Sequence, residues 1–231
     1  MKYNSIKKAG AWIVAQIIEY KTLAIMILYA IFYLISFGYL ENRDVSHYII
    51  EIGIDRVIPF CEVFIIPYLL WFAYVALTVC FICFTDKEES KKLVAFLIAG
   101  MTIFLIVSAV FPNGHNLRPA TFERDNIFID LIKNLYNTDT STNILPSIHV
   151  YNSIAIMIAV YRNSYFKKHK IISAAMQLLG AGIICSTVLI KQHSMVDVIL
   201  AFIISVLMYA VCYKRAVHKE NSFELSEAST K

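Results

Sequence analysis

Three ionisable side chains, Lys191, His193 and Asp197, interrupt a long apolar run near the C-terminus, where residues 186–200 have the sequence STVLIKQHSMVDVIL. His193 and Asp197 are four residues apart, so on a helix that begins near His193 they share one face. A carboxylate bound to one imidazole nitrogen fixes the tautomer and makes the other nitrogen a better nucleophile. This spacing makes His193 a candidate covalent nucleophile and Asp197 its orienting group.

Two earlier segments carry groups that suit a phosphate. NLRP contains Arg118, whose planar guanidinium matches phosphate oxygens, and PSIH contains Ser147 and His149. His149 would lie in the first turn of a helix and could donate a proton to a leaving oxygen, while Ser147 and the free helix amides offer an anion site. Two histidines, a carboxylate, a guanidinium and a helix N-terminus together predict phosphoryl transfer through a phosphohistidine.

The elements that must position these groups are long and apolar. The chain has 231 residues, of which 58% are hydrophobic and 16% are charged, and its mean hydropathy is +0.63. This composition is typical of a membrane protein and not of an ordinary soluble domain. The apolar runs approach the roughly 20 residues that a helix needs to cross the hydrocarbon, and they lack the alternation of membrane strands. The sequence predicts an all-α integral membrane protein with six transmembrane helices in one bundle: 22–40, 59–84, 93–110, 147–166, 171–190 and 194–213.

Basic residues are unevenly distributed between the predicted loops. Fifteen of the 21 Lys and Arg residues lie in the terminal segments and in the loops after the second and fourth spans. By the positive-inside rule, both termini are cytoplasmic. The long loop 111–146 between spans three and four is then extracytoplasmic, and all three motifs lie at that surface. The net charge of +4 reflects this asymmetry, so no nucleic-acid partner is expected.

The chain is expected to have three regions. Residues 1–21 are interpreted as an amphipathic N-terminal interfacial segment, because no small-residue cleavage site is present. Residues 22–216 form the six-helix membrane domain, and 217–231 form a polar C-terminal tail. The loop 41–58 mixes charged and apolar residues at helical spacing, which predicts a short helix on the outer surface. A further helical stretch is predicted at IFIDLIKNLY, residues 127–136.

The order of the motifs resembles the type 2 phosphatidic acid phosphatase superfamily, whose pattern is K-x6-R-P, P-S-G-H and S-R-x5-H-x3-D. The matching residues are Arg118 and Pro119, then Pro146, Ser147 and His149, then Ser186, His193 and Asp197. The resemblance covers residues 111–200 directly, and the six-span layout extends it to most of the chain. It implies that His193 is the nucleophile, that His149 is the acid, and that no metal or other cofactor is needed. It also implies a lipid phosphate substrate, with Arg118, Ser147 and Ser186 at the phosphate.

Three positions depart from the pattern: Phe111 replaces the Lys, Thr187 replaces the second Arg, and Ile148 replaces the Gly. Lys191 lies four residues after Thr187 and could bind phosphate in place of one missing cation. Arg124 or His115 could supply another. The P-S-I-H variant also resembles the inositol phosphorylceramide synthase branch, which transfers phosphoryl head groups between lipids.

Three other polar residues have less specific interpretations. Asp139 and Asn143 are expected to stabilise the long loop. Glu62, just inside the second span, could either line a substrate entrance or belong to a buried pair.

Three functions are compatible with the sequence. The first is a metal-independent phosphatase of the cell membrane that hydrolyses a lipid phosphate or diphosphate of phosphatidate, phosphatidylglycerophosphate or polyprenyl diphosphate type. The second is a lipid phosphotransferase, in which a lipid or polyol hydroxyl replaces water. The third is a transporter or a binding protein without activity; it is disfavoured because the polar residues cluster at one surface and not at the bilayer midplane. The lipid, the acceptor and the oligomeric state are left open.

Overall fold

The computed structural model describes residues 20–214, which are mostly helical. The elements are α1 (Lys21–Glu41), β1 (Tyr48–Ile49), α2 (Gly53–Val57), α3 (Ile65–Thr85), α4 (Lys87–Val110), β2 (Asn113–Gly114), α5 (Ile127–Thr138), α6 (Ile148–Arg162), α7 (Ser164–Lys168), α8 (Lys170–Leu189) and α9 (Met195–Tyr209). A 3-10 turn, Glu62–Phe64, precedes α3, and a π-helical turn, Ala210–Lys214, extends α9. The polar tail and nearly all of the predicted interfacial segment lie outside the described residues.

Among the described residues, five helices are long and apolar enough to cross a membrane: α1, α3 with its 3-10 turn, α4, α8, and α9 with its π-helical turn. Their ends lie close to those of the predicted spans, except that α4 begins well before its apolar run. Asp86 caps α4 by accepting a hydrogen bond from the Glu89 amide (3.0 Å), so the polar residues 87–92 form its first turns. The fourth predicted span is divided into α6, of 15 residues, and the short α7. Six spans with cytoplasmic termini therefore stay a prediction.

The helix α6 lies at the centre of the bundle. It packs against α3, α4, α8 and α9, and most of its side chains are buried. In contrast, α1 packs mainly against α4 and leaves most of its apolar side chains exposed. Because lipid tails are as apolar as the protein core, an exposed helix of this kind is stable at the edge of a membrane bundle. His149, in the first turn of α6, thus stands on the most enclosed helix of the fold.

Two glycines let the neighbouring helices approach α6 closely. A Cβ atom on Gly100 of α4 would lie 2.0 Å from the Tyr151 ring, and one on Gly180 of α8 would lie 2.8 Å from the Met157 side chain. Tyr151 is fully buried, and it stacks on Phe96 with ring centroids 4.7 Å apart. Its hydroxyl donates a hydrogen bond to the Phe96 carbonyl (2.9 Å). Small residues at such crossings allow close van der Waals packing, which stabilises helix pairs where hydrophobic burial cannot.

The loops at the end of the bundle where α6 begins form a compact layer. β1 pairs in parallel with β2, with Tyr48 opposite Asn113, and Gly114 of β2 bridges to Thr142. The predicted helix at 127–136 is confirmed as α5, which Asn126 caps. The short helix predicted in the loop 41–58 is present as α2 and is limited to five residues, and two other residues of the loop form β1.

The substitution Gly100→Ala should destabilise the bundle. The new methyl group would overlap the ring of Tyr151, which is buried on all sides, and overpacking of this kind costs about 1–3 kcal/mol. We expect a lower thermal midpoint for the detergent-solubilised protein, measured by intrinsic fluorescence. Gly38→Ala in α1 is the matched control, because nothing lies within 4 Å of its added Cβ. Equal midpoints for the two variants would contradict the close crossing of α4 and α6.

Candidate active site

His193 and Asp197 form a hydrogen-bonded pair at the start of α9. The imidazole Nδ1 and the carboxylate Oδ2 are 2.6 Å apart, and both side chains are buried. The carboxylate accepts the Nδ1 proton, so the lone pair of a neutral His193 lies on Nε2. Burial, followed by the charge of Arg118, lowers the pKa of His193 to about 3. The ring is therefore neutral at pH 7, as a nitrogen nucleophile must be.

His149 faces this pair from the first turn of α6. Its Nδ1 lies 3.4 Å from the Nε2 of His193, and the two ring centroids are 5.5 Å apart. Two rings of α3 hold the imidazole: Tyr68 stacks on it at 4.5 Å between centroids, and Trp71 lies at 4.2 Å. The two histidines are thus close enough to act on the same phosphoryl group.

Ser147 connects the two helices that carry the histidines. Its hydroxyl accepts a hydrogen bond from the Val150 amide (3.3 Å), which caps α6 as the sequence suggests. Its own amide donates to the Asp197 carbonyl (3.3 Å). This bond holds the starts of α6 and α9 together, so Ser147 positions the histidines in addition to any contact it makes with phosphate.

Arg118 reaches the same turn from the long loop. Its guanidinium donates to the carbonyls of Tyr136 (3.1 Å), Asp139 (2.7 Å) and Thr140 (2.7 Å), and to the side-chain oxygen of Gln192. It also lies over the Tyr136 ring, 4.3 Å from the centroid. Arg118 therefore cross-links the loop after α5 to the residue that precedes His193, and only its buried Nε lacks a partner among the described residues.

Gln192 is a residue of the site that the sequence did not single out, and Asp139, which was expected only to stabilise the long loop, also lies there. The Gln192 amide donates to Asp139 Oδ2 (3.1 Å), and the Tyr68 hydroxyl donates to the same oxygen (3.3 Å). Burial raises the pKa of Asp139 to about 6. Asp139 thus links Tyr68, which stacks on His149, to the turn that carries His193. The only signal for Gln192 in the sequence is its position next to His193.

Lys191 and Ser186 have other partners than phosphate. The Lys191 ammonium donates to the carbonyls of Asp55 (2.6 Å) and Ile58 (2.5 Å), and the side chain is buried. The Ser186 hydroxyl donates to the Ile183 carbonyl (2.6 Å) within α8. The prediction that these two residues bind phosphate therefore finds no support in their contacts. The structure does bring together His193, Asp197, His149, Ser147 and Arg118.

The other residues considered as replacement cations are also engaged. His115 donates from Nε2 to the Gln192 carbonyl (2.9 Å) and accepts from the Leu117 amide at Nδ1 (3.1 Å). Burial lowers the pKa of His115, so its ring is neutral at pH 7. Arg124 pairs with Glu62 (2.8 Å), so Glu62 belongs to an ion pair whose carboxylate side is buried. Neither His115 nor Arg124 presents a free positive charge to His193.

The positions of the missing family cations are filled by local contacts. Phe111 stacks on Tyr48 with ring centroids 4.8 Å apart, and the Thr187 hydroxyl donates to the Ile184 carbonyl (2.7 Å). Within residues 20–214, no three His, Cys, Asp or Glu side chains are grouped as metal ligands. The polar groups that converge at this site are therefore two histidines, one carboxylate and one guanidinium.

Comparison with known proteins gives one match. Residues 116–220 match the model of the PAP2 superfamily, and this range includes Arg118, Ser147, His149, His193 and Asp197. No curated protein and no solved structure matches the chain. The matched range also contains the three motifs in their expected order. This match supports membership of the PAP2 superfamily, that of the type 2 phosphatidic acid phosphatases.

Proposed function

We propose that this protein is a membrane phosphatase that hydrolyses a lipid phosphate or diphosphate through a phosphohistidine on His193. Members of the PAP2 superfamily are generally phosphatases or phosphotransferases acting on phosphate esters. Two contacts carry the proposal. Asp197 Oδ2 lies 2.6 Å from His193 Nδ1, and His193 Nε2 lies 3.4 Å from His149 Nδ1. Together they supply an oriented nucleophile and an acid at one point.

The proposed reaction has two steps. His193 Nε2 attacks phosphorus, the bond to the leaving oxygen breaks, and His149 gives that oxygen a proton. Asp197 stabilises the imidazolium that forms, because its carboxylate is bound to Nδ1. In the second step His149, now neutral, removes a proton from water as the water oxygen attacks phosphorus. The bond between phosphorus and His193 Nε2 breaks, inorganic phosphate leaves, and His193 and the imidazolium of His149 are regenerated.

The membrane setting supports a lipid as the substrate. Five helices are apolar enough to cross the bilayer, and the histidines lie where α6 and α9 begin, at one end of the bundle. A head group at the bilayer surface would meet the site there while its tails stay in the hydrocarbon. The excess of basic residues in the opposite loops supports an extracytoplasmic site in the cell membrane.

One observation favours a phosphotransferase as the second candidate. Arg118, Lys191 and Arg124 all donate to protein oxygens, and His115 is neutral. A phosphate monoester, with up to two negative charges, would find little free positive charge, whereas a phosphodiester head group carries only one. Attack by His193 on a diester, followed by attack of a lipid or polyol hydroxyl, would move the head group to a new lipid.

Replacement of the histidines should separate their roles. His193→Ala removes the nucleophile and should lower kcat by at least about 10⁴-fold on every substrate. His149→Ala should lower kcat by about 10²–10⁴-fold on an alkyl phosphate. On p-nitrophenyl phosphate its effect on the first step should be much smaller, because nitrophenolate leaves without a proton. The measurement is steady-state kinetics in detergent with EDTA present.

The matched control is His169→Ala, an exposed histidine at the start of α8, at the other end of the bundle. It should keep full activity. Full activity of His193→Ala would rule out the assigned nucleophile. Equal losses of kcat/KM, which reports the first step, for His149→Ala on both substrates would rule out the acid role.

The acceptor should distinguish the two candidate functions. Purified protein is given a phosphate-labelled lipid monoester or a head-group-labelled phosphodiester, each with and without diacylglycerol or ceramide. A phosphatase releases free phosphate from the monoester without an acceptor. A phosphotransferase moves label from the diester to the second lipid only when that acceptor is present. Failure to act on either lipid would contradict the proposed function.

A further inference from the structure

The carboxylate of Asp55, in the short helix α2, is buried against the turn that carries His193. Only 2% of Asp55 is exposed. Its Oδ2 accepts hydrogen bonds from the Ser194 hydroxyl (2.7 Å) and the Ile52 amide (2.8 Å), and its Oδ1 accepts one from the Met195 amide (2.7 Å). Three donors thus converge on one carboxylate in an interior position, where an unpaired charge would be costly.

Two of these donors belong to the first residues of α9. Ser194 is the N-cap of this helix, and Met195 is its first residue. The amides at a helix start have no partner within the helix, and a negative charge there is favourable. Asp55 therefore fixes the start of α9 from outside the helix. His193 precedes the cap directly, and Asp197 lies in the first turn, so both depend on the direction in which α9 begins.

Lys191 makes a second connection between the same two segments. Its ammonium donates to the main-chain carbonyls of Asp55 and Ile58, at 2.6 and 2.5 Å. The backbone of Lys191 has φ 53°, a left-handed conformation that non-glycine residues rarely adopt without support. The segment 53–58 therefore contacts the chain on both sides of His193. Lys191 makes the contacts before His193, and Ser194 and Met195 make those after it.

We infer that Asp55 is a positioning residue for the nucleophile, and that the segment 53–58 forms part of the active site. This inference rests on the proposed function of His193. Asp55 acts through the start of α9, holding His193 Nε2 in line with the phosphorus atom and with His149. It lies outside residues 116–220, the range that matches the superfamily model.

The test compares Asp55→Asn, Asp55→Ala and Ser194→Ala with the wild-type protein. Asp55→Asn keeps the shape of the side chain but places an NH₂ group against one of the three donors. Small displacements of a catalytic group can cost about 100-fold in rate. We expect kcat to fall about 100-fold for Asp55→Ala and about 10-fold for Asp55→Asn, with KM changed less than about threefold. Ser194→Ala should have a milder effect in the same direction.

The matched control is Asp125→Asn, whose side chain is 90% exposed in the same layer of loops. It should leave kcat and KM unchanged. An unchanged kcat for a folded Asp55→Asn variant would overturn the inference. So would a loss that appears only as a lower amount of folded protein, measured by size-exclusion chromatography and thermal midpoint, with normal kcat per folded molecule.

A second readout does not depend on activity. Hydrogen exchange, measured by mass spectrometry, should become faster in peptides covering 190–198 of Asp55→Ala, because the Met195 amide loses its acceptor. Peptides from α6 should be unchanged. If the wild-type protein turns over no lipid phosphate, the proposed function fails while this measurement still decides whether Asp55 holds the turn. Unchanged exchange at 190–198 would overturn the inference on its own.

Discussion

The hydrogen bond between His193 and Asp197 is the interaction on which the site depends. A carboxylate and an imidazole at the end of an apolar bundle are stable only if each has a partner, because desolvation is not otherwise compensated. Their 2.6 Å contact provides that partner, and it directs the free Nε2 of His193 towards His149. The remaining polar contacts around the turn hold this pair in place.

Those contacts explain why cations near the site serve as cross-links. The irregular segments at the end of the bundle contain carbonyls that have no helical partners. Three cationic side chains belong to these segments or contact them: Arg118, Lys191 and Arg124. Buried carbonyls and carboxylates need donors, and long cationic side chains can supply several at once. A guanidinium or ammonium group that already donates to protein oxygens has fewer hydrogen bonds left for the phosphate of the proposed substrate. This use of the cations is the observation behind the phosphotransferase alternative, in which the proposed phosphodiester substrate carries less negative charge.

The position of His149 depends on packing between helices. α6 packs against four other long helices, and Gly100 and Gly180 allow two of them to come close. Tyr68 and Trp71 of α3 then fix the ring of His149 from two directions. A side chain held on a rigid helix by aromatic stacking loses little of its orientation to thermal motion, and this would suit the proton transfer proposed for His149.

The sequence by itself determined the helical class, the approximate ends of the long apolar helices, and the pairing of His193 with Asp197. Apolar runs and an i,i+4 spacing are local signals, and both report directly on helical geometry. Tertiary structure alone decided the partners of Lys191, Gln192 and Asp55. Asp55 and Lys191 are 136 positions apart, and no local pattern specifies which side chain fills a buried gap between distant loops. The spacing of Lys191 predicts a phosphate ligand. In the fold, its ammonium group donates hydrogen bonds to two carbonyls that are distant in the sequence.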